Sequence, residues 1–110
     1  MDFAERNEKA VQELVRIERS VQRAADDVGV AIEGSRIPDL ILSLYREGEL
    51  IMVINVQPAE GRLFVTGRRL DDNFSLDGDR WVSRIDGAEI YAVLSDLLSR
   101  LTGTTLTLAP

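Results

Sequence analysis

Phe3, Asn7, Ala10, Leu14, Ile17, Val21, Ala24 and Val28 recur at alternating spacings of four and three, an a/d seam along the first quarter of the chain. Asp2 with Glu5 three residues on makes an Asp version of the capping box, and Gly29 supplies the stop, so residues 2–28 are predicted to form one helix. Val11, Val15 and Ala25 widen the seam enough for it to lie on a sheet. At 1.5 Å per residue such a helix is about 40 Å long. A spherical globule of this chain length has a radius of gyration near 13 Å and a diameter of roughly 34 Å. The mismatch predicts that the helix overhangs its own domain or packs on a second copy, with Leu14, Ile17, Val21 and Ala24 as the dimer or partner interface. Spending the seam on the chain's own sheet is the alternative, and would leave only one end of the helix overhanging.

The apolar period changes after Gly29. Residues 30–33 form a weak strand or connector, and "LILSLYREGELIMVINV" holds two apolar runs around Glu47-Gly48. A second reversal falls between Pro58 and Gly61, ahead of a strand over 62–66. The run at 37–46 also fits a helical face, because Ile37, Leu40, Ile41, Leu44 and Tyr45 line up behind Pro38; strand is the reading adopted. "LIMVINV" shows little polar alternation and is expected to be a central strand buried on both faces.

The segment "FSLDGDRWVSRIDG", residues 74–87, carries the only Trp and two Asp-Gly pairs. Asn73, Ser75, Asp77 and Gly78 match positions one, three, five and six of a calcium-binding loop. Position twelve, where such a loop needs a bidentate Glu, is Arg84, and position nine is Trp81, so calcium is excluded. The segment reads instead as two strands joined around Asp77-Gly78, with Gly78 at positive φ and Trp81 in the core. Asp86, with Glu89 three residues later, is expected to cap a second helix. Its apolar stripe comprises Ile90, Val93, Leu94, Leu97, Leu98 and Leu101, and it ends at Thr102-Gly103. The last seven residues are left as a short strand or tail.

Composition narrows the chemistry. The 110 residues are 45% hydrophobic and 29% charged, the balance of one globular domain, so residues 1–110 are taken as a single domain. The net charge of −6 divides unevenly: eight acids and six bases over 1–36, four of each over 37–70, and seven acids against three bases over 71–110. No basic stripe exists for a phosphate backbone, which argues against nucleic acid, while an acidic surface favours a basic protein partner. The longest apolar run, residues 50–54, is far short of the ~20 residues of a membrane span, and no leader pattern opens the chain; the cytoplasm is the expected compartment.

With no His and no Cys, the commonest general base, the usual partner of a nucleophilic Ser and most zinc ligands are missing. The one Lys, Lys9, is placed on the outward side of the first helix, and no glycine-rich phosphate loop occurs. Asp71, Asp72, Asp77 and Asp79 cluster in sequence, and a pair of them sharing a proton is the one route to acid/base work. Their positions beside turns favour solvated loops, with Arg68 and Arg69 as surface partners of Asp71 and Asp72. Tyr45 and Tyr91 are available hydroxyls with no signature around them. No catalytic residue, no metal and no cofactor is predicted.

The expected architecture is therefore α+β: a long N-terminal helix, an antiparallel sheet of about five short strands, and a C-terminal amphipathic helix. The order of elements, the small size and the low pI resemble those of bacterial secretion chaperones, acidic dimers that hold a partner chain. The first helix is longer than theirs, and their helix between the third and fourth strands has no counterpart here. The resemblance implies a non-enzymatic homodimer that binds another protein, in the manner of a chaperone, an immunity protein or an inhibitor. The alternative is a cystatin-like cone, in which the helix closes over a curved sheet and a carboxylate in the cavity moves a proton or a small ligand binds.

Overall fold

Two helices and six strands follow one another as α1 (Phe3–Val28), β1 (Glu33–Ile37), β2 (Ile41–Arg46), β3 (Glu49–Gln57), β4 (Arg62–Gly67), β5 (Leu70–Asp77), β6 (Arg80–Ser83) and α2 (Ile90–Thr102). The structure is a computed structural model that describes residues 2–57, 60–68 and 70–110. All six strands form one antiparallel sheet in the order β1-β2-β3-β4-β5-β6, so each strand pairs with its sequence neighbour. This is the predicted α+β architecture, with one strand more than the five expected. The extra strand is β1, a wholly exposed edge whose sequence EGSRI carries no apolar alternation to announce it. It begins at Glu33, where the weak strand expected at 30–33 ends.

Local chemistry sets the element ends. The Asp2 carboxylate accepts from the Glu5 N–H at 2.8 Å, and Gly29 at φ +73° closes α1. Of the run 37–46, read as strand over the helical alternative, residues 41–46 form β2, while Ile37 ends β1 and residues 38–40 make the turn between the two strands. The turn to β3 is the two-residue Glu47-Gly48, with both φ values positive, +54° and +79°. Between β5 and β6 the turn is Gly78-Asp79, with Gly78 at φ +66° as expected. Asp86 does not cap α2: its carboxylate accepts from Ala88 N–H within a turn. The cap is Glu89, one turn later, whose side chain accepts from Tyr91 N and Ala92 N.

Both helices lie on one face of the sheet. Leu42, Leu44, Met52, Ile54, Val56, Leu63, Val65, Phe74 and Trp81 point inward from five strands and are buried against Ala10, Leu14, Ile17 and Val21 of α1 and Ile90, Leu94 and Leu98 of α2. Trp81 is 2% exposed, a core residue as expected. Strand β3 departs from its prediction. Its residues from Ile51 onward alternate between half-buried and buried, because helices cover only the inner face. Continuous hydrophobicity at 50–54 is instead absorbed by a bulge: Leu44 pairs with Met52 and Tyr45 with Leu50, leaving Ile51 unpaired and packed against the core. The last residues run as an extended tail across the helix pair, with Leu106 and Leu108 buried. The Ser95 and Ser99 hydroxyls accept from Leu108 N and Leu106 N, and Ser20 of α1 donates to the Ala109 carbonyl at 2.8 Å.

Candidate functional site

The seam residues proposed for an interface are committed elsewhere. Leu14, Ile17, Val21 and Ala24 are 1%, 0%, 3% and 6% exposed within a single chain, packed on its own sheet. The expectation of an overhanging helix assumed a sphere. The molecule measures 40 × 28 × 23 Å, so a helix of about 40 Å runs along its longest axis and its middle is covered. The geometric reason for a dimer through α1 is thereby removed.

The carboxylates singled out by sequence are also dispersed. Asp71 and Asp72 are consecutive on β5 and therefore point to opposite faces, Asp71 exposed and Asp72 buried. The Asp72 carboxylate accepts from the Ser83 hydroxyl, which in turn accepts from Ile85 N at 3.0 Å. Asp77 precedes the hairpin turn, Asp79 is its second residue, and both are exposed. No shared-proton pair forms. Arg68 is exposed, and Arg69 lies outside the described residues, as does Pro58. Asn73, Ser75 and Asp77 sit along a regular strand, so the calcium-loop spacing is spread over an extended segment. Among the described residues no group of three or more Asp or Glu side chains is placed to hold a metal ion, and no helix is long and apolar enough to cross a membrane.

The sheet's uncovered face supplies the more coherent surface. Residues alternating with the buried ones point outward, and they register across the strands. Asn55 pairs with Phe64 and Phe64 with Asn73; Ser43 pairs with Val53 and Val53 with Thr66; Ser75 pairs with Val82. The middle of this face is aromatic, aliphatic, amide and hydroxyl in character and carries no charge. Arg62, Asp71 and Arg84 stand at its margin. Phe64 is only half-buried there although no helix covers it. The Asn73 side-chain oxygen is buried without a hydrogen-bond partner among the described residues, an acceptor left open on the same row.

Acidic groups gather toward one end of the sheet. Asp26 and Asp27 occupy the last turn of α1, which contains no basic residue, where the helix dipole disfavours negative charge. Glu33 opens β1, opposite Tyr45, and Glu47 and Glu49 follow at the adjoining β2–β3 turn. Sequence reasoning passed over this grouping because Glu33, Glu47 and Glu49 are spread over 17 positions, and only the antiparallel pairing of β1 with β2 brings Glu33 to the β2–β3 turn.

A third feature lies between the helices. Glu13 and Tyr91 are 6% and 4% exposed, and the Tyr91 hydroxyl donates to the Glu13 carboxylate. Burial first, then the hydrogen bond to Glu13 and its charge, push the Tyr91 phenol well above its ordinary value. The available sequence signal was that Glu13 falls three residues after Ala10 and four before Ile17, inside the apolar stripe.

Comparison with known proteins agrees with this topology. A model of the frataxin-like domain family matches residues 1–104. The iron-sulfur cluster assembly protein CyaY of Cupriavidus necator is 39% identical over 99 residues, covering 90% of this chain and 88% of that protein. CyaY of Cupriavidus taiwanensis is 37% identical over 97 residues, covering 88% and 86%. The solved structure of frataxin from Psychromonas ingrahamii superposes with a TM-score of 0.84 over the whole of both chains at 17% identity. These matches overturn the reading as a protein of the chaperone, immunity or inhibitor type, and equally the cystatin-like alternative. The element order that suggested a secretion chaperone, one long helix, a meandering sheet and a closing helix, is that of a different family: the chain belongs to the frataxin-like domain family.

Proposed function

We propose that the chain is a non-catalytic component of bacterial iron–sulfur cluster assembly, acting in the cytoplasm by docking a protein partner on the uncovered face of its sheet. The observation that carries this reading is the uncharged row Asn55, Phe64 and Asn73 at the centre of that face, in a chain that is 29% charged. An uncharged centre holding an aromatic residue, bounded by a charged rim, is the anatomy of a protein interface. The names of the relatives supply the process. The net charge of −6 and the carboxylates of Asp26, Asp27, Glu33, Glu47 and Glu49 favour a partner with a basic surface, and they would speed its approach. Iron is cargo in this reading, met by exposed carboxylates at the end of α1 rather than by a closed coordination site.

Phe64→Asp tests the proposal, because Phe64 lies outside the packed core. Formation of clusters on a bacterial scaffold protein, followed by visible absorbance, should change rate when the wild-type chain is added and stay at the basal rate with Phe64→Asp. Equal effects of the two chains, with circular dichroism showing both folded, would remove the sheet face from the function.

A further inference from the structure

A cavity of about 530 Å³ opens where the middle of α1, the β5–β6 hairpin and the first turn of α2 meet. Its size falls in the range of small-molecule sites. The lining is divided by depth. Glu13, Tyr91 and Trp81 are each more than nine-tenths buried and form the floor, while Arg16, whose side chain is 62% exposed, Arg80, Asp79 and Pro110 stand at the rim. Glu89 borders the floor as the cap of α2.

The floor presents acceptors. Glu13 Oε2 accepts the hydrogen bond from the Tyr91 hydroxyl, and its Oε1 forms a loose ion pair with the Arg16 guanidinium at 3.7 Å, too long for a hydrogen bond. Glu89 uses Oε2 for the two backbone N–H groups of Tyr91 and Ala92, and its Oε1 accepts nothing from the described residues. One oxygen of each carboxylate thus accepts no hydrogen bond from the described residues, on either side of the buried Tyr91. A carboxylate buried in an otherwise apolar helix seam costs stability, and a hydrophobic residue would fill position 13 at less cost. Such a breach of the local pattern is the mark of a site. The rim adds two guanidinium groups, whose planar forks suit a carboxylate, against the single carboxylate of Asp79. Arg80 makes no ion pair with the described residues.

We infer that this cavity binds a free α-amino acid, with the ammonium group on the open oxygens of Glu13 and Glu89, the carboxylate at Arg16 and Arg80, and the side chain against Trp81. A bare metal ion fits less well, since the two rim arginines repel it and the described residues provide no ligand group of three. An anion alone would meet the Glu13 and Glu89 carboxylates at the floor. A zwitterion satisfies both layers. The inference rests on this cavity alone and stands apart from the docking face.

Trp81 is the only tryptophan of the chain, so its emission reports occupancy directly. L-methionine, chosen as the probe for its apolar side chain, should shift Trp81 emission saturably at millimolar concentration. N-acetyl-L-methionine, which lacks the ammonium, and L-methioninamide, which lacks the carboxylate, should each bind at least about tenfold more weakly, a loss of about 1.4 kcal/mol. Glu13→Gln still accepts the Tyr91 hydrogen bond and should weaken L-methionine by a similar factor. Arg80→Ala, an exposed change without cost to the core, should weaken L-methionine and leave L-methioninamide unchanged. Absence of saturation, equal binding of the three compounds, or an Arg80→Ala effect on the amide as large as on the acid would each overturn the assignment.

Discussion

Gly61 and Gly78 hold nearly the same backbone conformation, φ +61° and +66°, but a side chain at each would meet different surroundings. A Cβ at Gly78 meets nothing within 4 Å, so Gly78→Ala should cost only left-handed strain, about 1–2 kcal/mol. At Gly61 a Cβ would come 2.6 Å from Cβ of Arg6, where the β3–β4 turn touches α1. The same substitution there should cost about 1–3 kcal/mol more, because the helix must shift. Urea denaturation of the two variants checks the order; equal losses would mean that the turn slides off the helix without cost. Tyr91 offers a pH test. Its phenol is held above the ordinary value of 10.0, so the folded state keeps a proton that the unfolded chain releases. The stability this contributes is whole below pH 10.0 and is lost progressively as pH rises above it. Tyr91→Phe leaves the Glu13 carboxylate buried without its donor and should cost about 1–3 kcal/mol at neutral pH. It should also abolish the share of alkaline destabilisation that Tyr91 brings, so the urea midpoints of variant and wild type should converge as pH climbs past about 10.

Among the elements, the C-terminal tail contributes most beyond its local structure. It has neither helix nor strand, yet Leu106 and Leu108 are 2% and 5% exposed and three serines from both helices bind its backbone. Burial of each leucine contributes about 1.5–3 kcal/mol. Leu108→Ala should therefore destabilise by about 2 kcal/mol or more, read as a lowered urea midpoint with an unchanged slope. A neutral outcome would show the tail to be detached in solution. Its role was invisible in "TTLTLAP", because an extended segment that fills a groove between helices has the apolar alternation of a strand without strand partners. The cap of α2 was misplaced for a related reason: Asp86 and Glu89 each have cap chemistry, and the isolated bridge between Val82 and Glu89 prolongs the β6 edge and delays the helix by one turn.

At the scale of the whole molecule, the seam of α1 decides the oligomeric expectation. Leu14→Asp places a charge in a site 1% exposed between helix and sheet, at a cost above about 4 kcal/mol, and should abolish the fold rather than release an intact protomer. Light scattering of the wild type should give a mass near 12.3 kDa across a micromolar concentration series, and a mass of twice that would restore an interface on some other surface. Much of this fold was legible in local chemistry: the α1 limits from Asp2 and Gly29, the Gly78 turn from Asp-Gly, the α2 stripe from its leucines and the core position of Trp81 all depend on neighbours within a few residues. The sequence by itself thus determined both helices and their apolar faces, and the strands other than β1. It did not determine what each apolar face meets. That the seam of α1 meets its own sheet, that Glu13 meets Tyr91 78 positions away, that β3 is covered on one face only and that Asn55, Phe64 and Asn73 form one row were decided by tertiary structure alone. The reason is physical: periodicity records how much surface must be buried, whereas the partner that buries it is set by strand register and by the long axis of the molecule, which arise only when all the elements pack together.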